Sequence, residues 1–176
     1  MSYLSMPLAE LPGFYGEYIK QPCALRLNLT PPERGILVAY PEGQEVPAGE
    51  AGVITICGHH GGGVMVVFQD GITLFDFNRE NRPARWHRQL CSYLQAKGLA
   101  AEIAGNDVLV EGRKVAGWMN RFVAEGMLMN GIHISINADP IVIRHYTDKP
   151  MEKIPAGLSE WGISRAEILE ALEVEE

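Results

Sequence analysis

Asn106-Asp107-Val108-Leu109-Val110-Glu111-Gly112-Arg113-Lys114-Val115-Ala116-Gly117 decides the fold class of this 176-residue chain. The stretch sets Val108–Val110 against an apolar-rich run from Lys114 to Val123, with Glu111-Gly112 between them. Glycine in a two-residue connection supplies the positive φ that a tight hairpin needs. The spacing therefore predicts two antiparallel strands, 108–110 and 114–123. Lys114 then sits just past the turn, with Gly117 three residues on. A cation fixed on a hairpin can stabilise developing negative charge, whereas one on a loose loop mostly pairs with water. Taken alone, the hairpin fits an ordinary exposed strand lysine equally well.

Working outward, short β-rich runs alternate with turn chemistry. Cys23–Leu29 alternates apolar and polar, Thr30-Pro31-Pro32-Glu33-Arg34-Gly35 turns, and Ile36–Tyr40 reads as a short buried strand. Pro41–Gly52 reads as a surface loop, followed by strands at Val53–Cys57, Val64–Phe68 and Ile72–Phe77. Ala84–Lys97 is predicted helical: Pro83 starts it, Trp86, Leu90, Tyr93 and Leu94 share a face, and Gly98 ends it. Met127–Asn137 is predicted to be a strand with Ile132, Ile134 and Ile136 on one face, His133 and Ser135 on the other. Ser164-Arg165-Ala166-Glu167 is a capping box opening a helix through Leu172. Residues 1–21, with Pro7, Pro12, Gly13 and Gly16, read as an irregular lead-in. Strand runs with hairpin-length connections and two helices imply an α+β single domain over 1–176, its sheet mixed but largely antiparallel and flanked by helices.

Composition narrows the function. Hydrophobic residues make up 47% and charged residues 21%, a globular balance. The formal charge of −7 argues against nucleic acid as a partner, since phosphate binding relies on a basic face. No apolar run approaches the ~20 residues of a membrane helix, and the N-terminus lacks a secretory pattern. Cys23, Cys57 and Cys91 form neither a disulfide framework nor a metal motif. A cytoplasmic protein with no membrane partner is expected.

Three features compete for chemistry. His59-His60-Gly61-Gly62-Gly63 lies between two strands; three glycines either make a flexible turn or let backbone N–H groups approach an anion. Arg79, Arg82, Arg85 and Arg88 recur around Pro83, as a solvated helix start or a docking patch for an acidic partner. His59-His60 with His87, His133 or His145 lacks the carboxylate spacing of a metal site, so no intrinsic metal is expected.

The stretch 106–117 resembles the Asn-Asp-x-x-x-x-Gly-x-Lys-hydrophobic-Ser/Ala-Gly motif of the lipoate–protein ligase, octanoyltransferase and biotin–protein ligase superfamily. The order of motifs agrees from about Val53 to Asp139: the glycine cluster, a strand ending Gln69-Asp70-Gly71, the helix, the lysine hairpin, then Ile136-Asn137-Ala138-Asp139. The resemblance implies a class II synthetase-like ligase fold and an acyl–protein ligase or transferase of lipoate or octanoate type. ATP and Mg2+ are implied with it, as are an acyl-adenylate and a carrier domain or partner subunit. Lys114 takes the catalytic place on the acyl carbonyl and adenylate phosphate. His59, Gly61, Gly62, Gly63, Asn106, Asp107, Gly117 and His133 fall in substrate-binding places, and Val64, Val66 and Met119 become candidates to line an acyl pocket.

The departures point the other way. Gly58 and His59 replace arginines that precede the family's glycines, and an unperturbed histidine is mostly neutral at pH 7. Gln69 and Gly131 stand where histidines are common. Trp118 replaces a small residue, a ring that could shorten an acyl tunnel. The octanoyltransferases' Pro-Cys-Gly nucleophile segment reads Pro155-Ala156-Gly157, which excludes the cysteine mechanism. A catalytically degenerate member that binds a lipoyl-like ligand, a carrier domain or a partner subunit is the alternative.

Overall fold

The hairpin at Glu111-Gly112 is the hub of a mixed sheet. In a computed structural model that describes residues 3–18, 25–30, 34–41, 53–58, 63–68, 70–78, 85–124, 126–138 and 153–174, both turn residues have positive φ, 52° and 75°. That is the mirror-image turn whose twist matches the strands it joins. It connects β8 (Asp107–Val110) to β9 (Arg113–Ala124), which continues into β10 (Met127–Ile134). A second two-residue turn, with Gly105 at φ 63°, joins β7 (Ala101–Ala104) to β8.

Seven strands lie in the order β1-β2-β6-β10-β9-β8-β7, with β1 (Tyr3–Pro7), β2 (Leu25–Thr30) and β6 (Ile72–Asn78) completing the sheet. Only β1 and β2 run parallel; the other pairs are antiparallel. A second sheet has the order β4-β3-β5: β3 (Arg34–Pro41) runs parallel to β4 (Val53–Gly58) and antiparallel to β5 (Gly63–Phe68). Both sheets are mixed, and the α+β expectation holds.

Cross-strand partners share a face and successive residues alternate. The row Ile72, Ile134, Ala116 and Val108 and the row Leu74 and Ile132 therefore lie on one side, where they form a core with Trp86, Leu90, Cys91 and Leu94 of α2 (Trp86–Ala96). Ile168, Leu169 and Leu172 of α3 (Arg165–Ala171) and its C-terminal edge join the same core. The capping box is formed: Ser164 Oγ accepts from the Glu167 N–H, and the Glu167 carboxylate accepts from the Ser164 N–H. Gly98, at φ 84°, stops α2 as its position predicts.

The N-terminus corrects the sequence reading. Residues 3–18 are β1, a 3-10 turn (Leu8–Glu10) and α1 (Leu11–Tyr18). Pro7 closes an edge strand and Pro12 sits in the first turn of a helix, the two places where a missing N–H costs no internal hydrogen bond. The strand predicted to reach Asn137 ends at Ile134, and all eight residues of β10 are buried, so its polar members face protein. β7 is an addition: its four residues give too short a pattern to read.

Beyond β10 the chain returns to the start of β9. Ile154 accepts from the Lys114 N–H at 2.8 Å, and the Ala156 N–H donates to the Lys114 carbonyl at 2.8 Å. Leu158 and Ser159 N–H groups bond the carbonyls of Ser135 and Ile136. Asn137 is absorbed by this junction, donating to Asp70 Oδ2 at 2.7 Å and accepting from Ser159 Oγ at 2.6 Å. Among the described residues no helix is long and apolar enough to cross a membrane.

Gly157 is required where that return passes over β10's end. A Cβ there would stand 2.3 Å from the Ile136 carbonyl oxygen and 2.8 Å from Asn137 Cα. Both are backbone atoms with no rotamer to yield. Gly157→Ala is expected to destabilise the fold by about 3 kcal/mol or more, measured as a fall in the urea midpoint at unchanged m-value.

Candidate functional site

Lys114 owes its direction to a β-bulge. Val108 pairs with Ala116, but Leu109 pairs with Lys114, so β9 spends one extra residue, Val115, at that step. In regular register Lys114 would stand opposite Val110 and point into the helix-covered core. The slip carries it to the face of Leu109 and Asp107. Val115 and Ala116 both face the core, exposed by 0% and 2%.

Four sequence-predicted residues meet on that face. Lys114 Nζ lies 2.8 Å from Asp107 Oδ1. Asp107 pairs across the ladder with Gly117, and Gly117 pairs with His133. A Cβ on Gly117 would stand 3.3 Å from both Cε and Nζ of Lys114, so the lysine lies across the bare α-carbon. Gly131, two residues along β10 from His133, leaves a second bare position on the same face. Asn106 contributes backbone: its carbonyl accepts the Trp118 N–H at 2.7 Å, extending the β8–β9 pairing past Asp107, while its side chain is exposed.

Lys153 is an addition that the sequence reading missed. Its Nζ lies 2.8 Å from Asp107 Oδ2 and donates to the Ala104 carbonyl at 2.9 Å. One carboxylate, 17% exposed, thus takes one ammonium on each oxygen. Burial pushes the Asp107 carboxyl up, but hydrogen bonds and charge from Lys114 and Lys153 overcome it and hold the group below the usual range. A sequence separation of forty-six positions between Asp107 and Lys153 leaves no local spacing to find.

His133 is buried beside this cluster and hydrogen-bonds Thr73 through Nδ1 to Oγ1 at 2.8 Å. Burial first, then the Lys114 charge, push its pKa down to about 3. It is a neutral ring at neutral pH, not a phosphate-gripping cation. The apolar continuation of this face is Leu27, Phe75, Phe77 and Met129, all buried.

Trp118 corrects an expectation. It lies on the opposite, helix-covered face, its ring stacked on His87 at 4.8 Å, and does not share the face of Lys114. Ala156, where a cysteine nucleophile would stand, is 1% exposed within the helix-side core. Cys91 is a buried thiol whose pKa is raised by desolvation and then by Glu102, the reverse of an activated thiolate.

The glycine cluster divides. Gly58 ends β4 opposite Pro41 and Gly63 opens β5 opposite Ala39, so both stand at one end of the small sheet. His59, Gly61 and Gly62 lie outside the described residues, as do Gln69, Arg79 and Arg82; the side chains of Val64, Val66 and Met119 are likewise not described. Arg85 and Arg88 are exposed at the start of α2. Among the described residues no three His, Cys, Asp or Glu side chains are placed to hold a metal ion, and both Asp107 oxygens are engaged by ammoniums. The described residues do not fit a Mg2+ site.

No family model and no curated protein matches the sequence. Solved structures do match. P. falciparum LipL1 in complex with lipoate has a TM-score of 0.65 at 15% identity, over 98% of this chain and 60% of that one. The bipartite lipoate protein ligase of an archaeal lipoylation system from Thermoplasma acidophilum, described with its E2 lipoyl domain, gives 0.64 at 14%, over 98% and 80%. Biotin protein ligase from Aquifex aeolicus in complex with biotin and ATP gives 0.53 at 13%, over 97% and 66%. The chain has the catalytic-domain fold shared by lipoate and biotin protein ligases, and it spans 60% of the length of LipL1.

A histidine held neutral makes stability depend on pH. The unfolded chain accepts the proton near 6.5 while the folded chain resists it until about 3, so stability is lost as pH falls through that window. Between pH 7 and pH 5, the protein is expected to lose roughly 2 kcal/mol more than His133→Gln, compared by urea denaturation at both pH values.

Proposed function

We propose that this chain handles a medium-chain acyl group of lipoate or octanoate type as an acyl-adenylate and transfers it to a lysine amine on a carrier domain. The observation that carries the proposal is the Lys114 ammonium, aimed by the bulge across Gly117 onto a sheet face that continues into buried apolar residues. The fold shared with lipoate and biotin ligases supports it, as does LipL1's complex with lipoate and the Aquifex ligase's with biotin and ATP. In this reading an acyl carboxylate oxygen attacks the α-phosphorus of ATP and pyrophosphate leaves. The uncharged carrier amine then attacks the acyl carbonyl carbon, AMP departs with the bond to its phosphate oxygen broken, and the surplus amine proton passes to solvent.

Each step gathers negative charge near the acyl carbonyl and the bridging phosphate, where Lys114 supplies a compact cation with three donors. Asp107 keeps that cation in place before the ligand arrives. Gly117 and Gly131 leave strand surface bare beside it for the acyl chain, and neutral His133 adds polarity without a second charge. Asn106 braces the hairpin through its carbonyl. Gly61–Gly63 and His59 stay within the proposal as adenylate-side backbone. Cytoplasmic placement belongs to the same reading.

A second reading has its own observation. Gly58 and His59 stand where the resemblance has arginines, and the Thermoplasma neighbour is one part of a bipartite ligase. A chain of this kind would bind the acyl ligand, carrier or sister subunit without completing adenylation. Calorimetry with lipoyl-adenylate, ATP, free lipoate and a lipoyl domain separates the two: tight adenylate binding with turnover supports the enzyme, carrier binding alone the binding module.

Lys114→Ala is expected to lower acyl transfer roughly 100–1000-fold, the loss typical for one preorganised charge stabiliser, read by mass of the carrier domain. Full activity in that variant would remove the assignment. Gly117→Ala, whose methyl displaces the same ammonium, is expected to lose ~10–100-fold in the same assay with its urea midpoint retained.

A further inference from the structure

We propose that Lys153 is a positioning residue of this site: it fixes the Asp107 carboxylate and stays on it as counter-ion when Lys114 turns to a bound anion. The proposal rests on the reading of Lys114 as the anion-contacting cation.

The two lysines are not equivalent. Lys153 is anchored twice, to Asp107 Oδ2 at 2.8 Å and to the Ala104 carbonyl at 2.9 Å, so it bridges the β7 side of the turn and the aspartate beyond it. Lys114 is anchored once among the described residues, to Oδ1, and its side chain is 41% exposed against 29% for Lys153. The singly held, more exposed ammonium is the one with donors to offer. The doubly held one sets the rotamer of the carboxylate, which in turn decides where Oδ1 holds Lys114 above Gly117.

Charge accounts for the second lysine. Asp107 is 17% exposed, and a partly buried carboxylate stripped of its only cation would pull that cation back. With Lys153 on Oδ2, Lys114 can pass to an acyl carboxylate or an adenylate phosphate while Asp107 keeps a partner. Without Lys153, every anion that binds must first compete with Asp107 for a single ammonium. The anion class is a carboxylate or phosphate ester that reaches one ammonium, with the second held back.

The test uses the full chain. Lysine ammonium 1H–15N NMR on the ligand-free protein reports how tightly Lys114 is held, and calorimetry with lipoyl-adenylate reports affinity. In Lys153→Met the Lys114 N–H order parameter is expected to rise and adenylate affinity to fall roughly tenfold. In Lys153→Arg, which keeps the charge and presents several donors, both values are expected to return toward those of the natural chain. In an Asp107→Asn background the same Lys153→Met change is expected to alter affinity by less than about twofold, because the residue it acts through is gone. An unchanged Lys114 order parameter in Lys153→Met, or a tenfold loss that persists beside Asp107→Asn, overturns the proposal. If the natural chain binds no lipoyl-adenylate, the functional reading fails and the NMR comparison still decides the role of Lys153.

Discussion

A single extra residue in β9 determines which side of the sheet carries charge. Without Val115 in the bulge, Lys114 would point among Val108, Val110 and the apolar face of α2. An ammonium there would have to be neutralised or the core opened. The bulge satisfies two demands together. It keeps two consecutive apolar residues, Val115 and Ala116, in the core, and it delivers the cation to the opposite face next to a carboxylate. The register of the hairpin is thus the condition for everything else at the site. The return of residues 154–156 along β9 pairs the lysine's own N–H and carbonyl and holds the bulge from its other side.

Asp107 adds a second constraint. A carboxylate between two ammoniums is held below the usual carboxylate range, so the trio carries a net positive charge in a protein whose formal charge is −7. The cation is therefore local, set within a molecule that repels anions at long range. In the proposed function, selectivity for a small anionic group rests on close geometry over Gly117 more than on diffusional steering. His133 completes the contrast: burial first, and then the Lys114 charge, keep the neighbouring imidazole uncharged.

Much of this was legible in the residue pattern, because the deciding signals were local. Glu111-Gly112 declared its turn, Ser164 with Glu167 declared a helix start, and Pro83 and Gly98 bracketed α2 to within a few residues. The motif order pointed to the ligase fold that the solved structures share. Of the nine residues that the resemblance places in the site, Lys114, Asp107, Gly117 and His133 share one sheet face. What escaped was non-local or masked by an opposing signal. Prolines and glycines hid α1, although Pro12 occupies a helical position that tolerates it. Lys153 sits far along the chain and joins Asp107 only because the segment returns. The bulge did leave a trace, the adjacent pair Val115-Ala116 that breaks alternation, and attending to it would have shown that Trp118 faces away from Lys114.

The close pass of Gly157 over the end of β10 ties the second ammonium to the seating of a distant segment. The hairpin that bears Lys114 and Asp107 supplies its own carboxylate with a single lysine. The second ammonium arrives only when the returning segment seats against Ile136–Ala138, a seat that admits nothing bulkier than hydrogen. A substitution that unseats Gly157 therefore reaches Asp107 as well, by withdrawing Lys153 from its second oxygen.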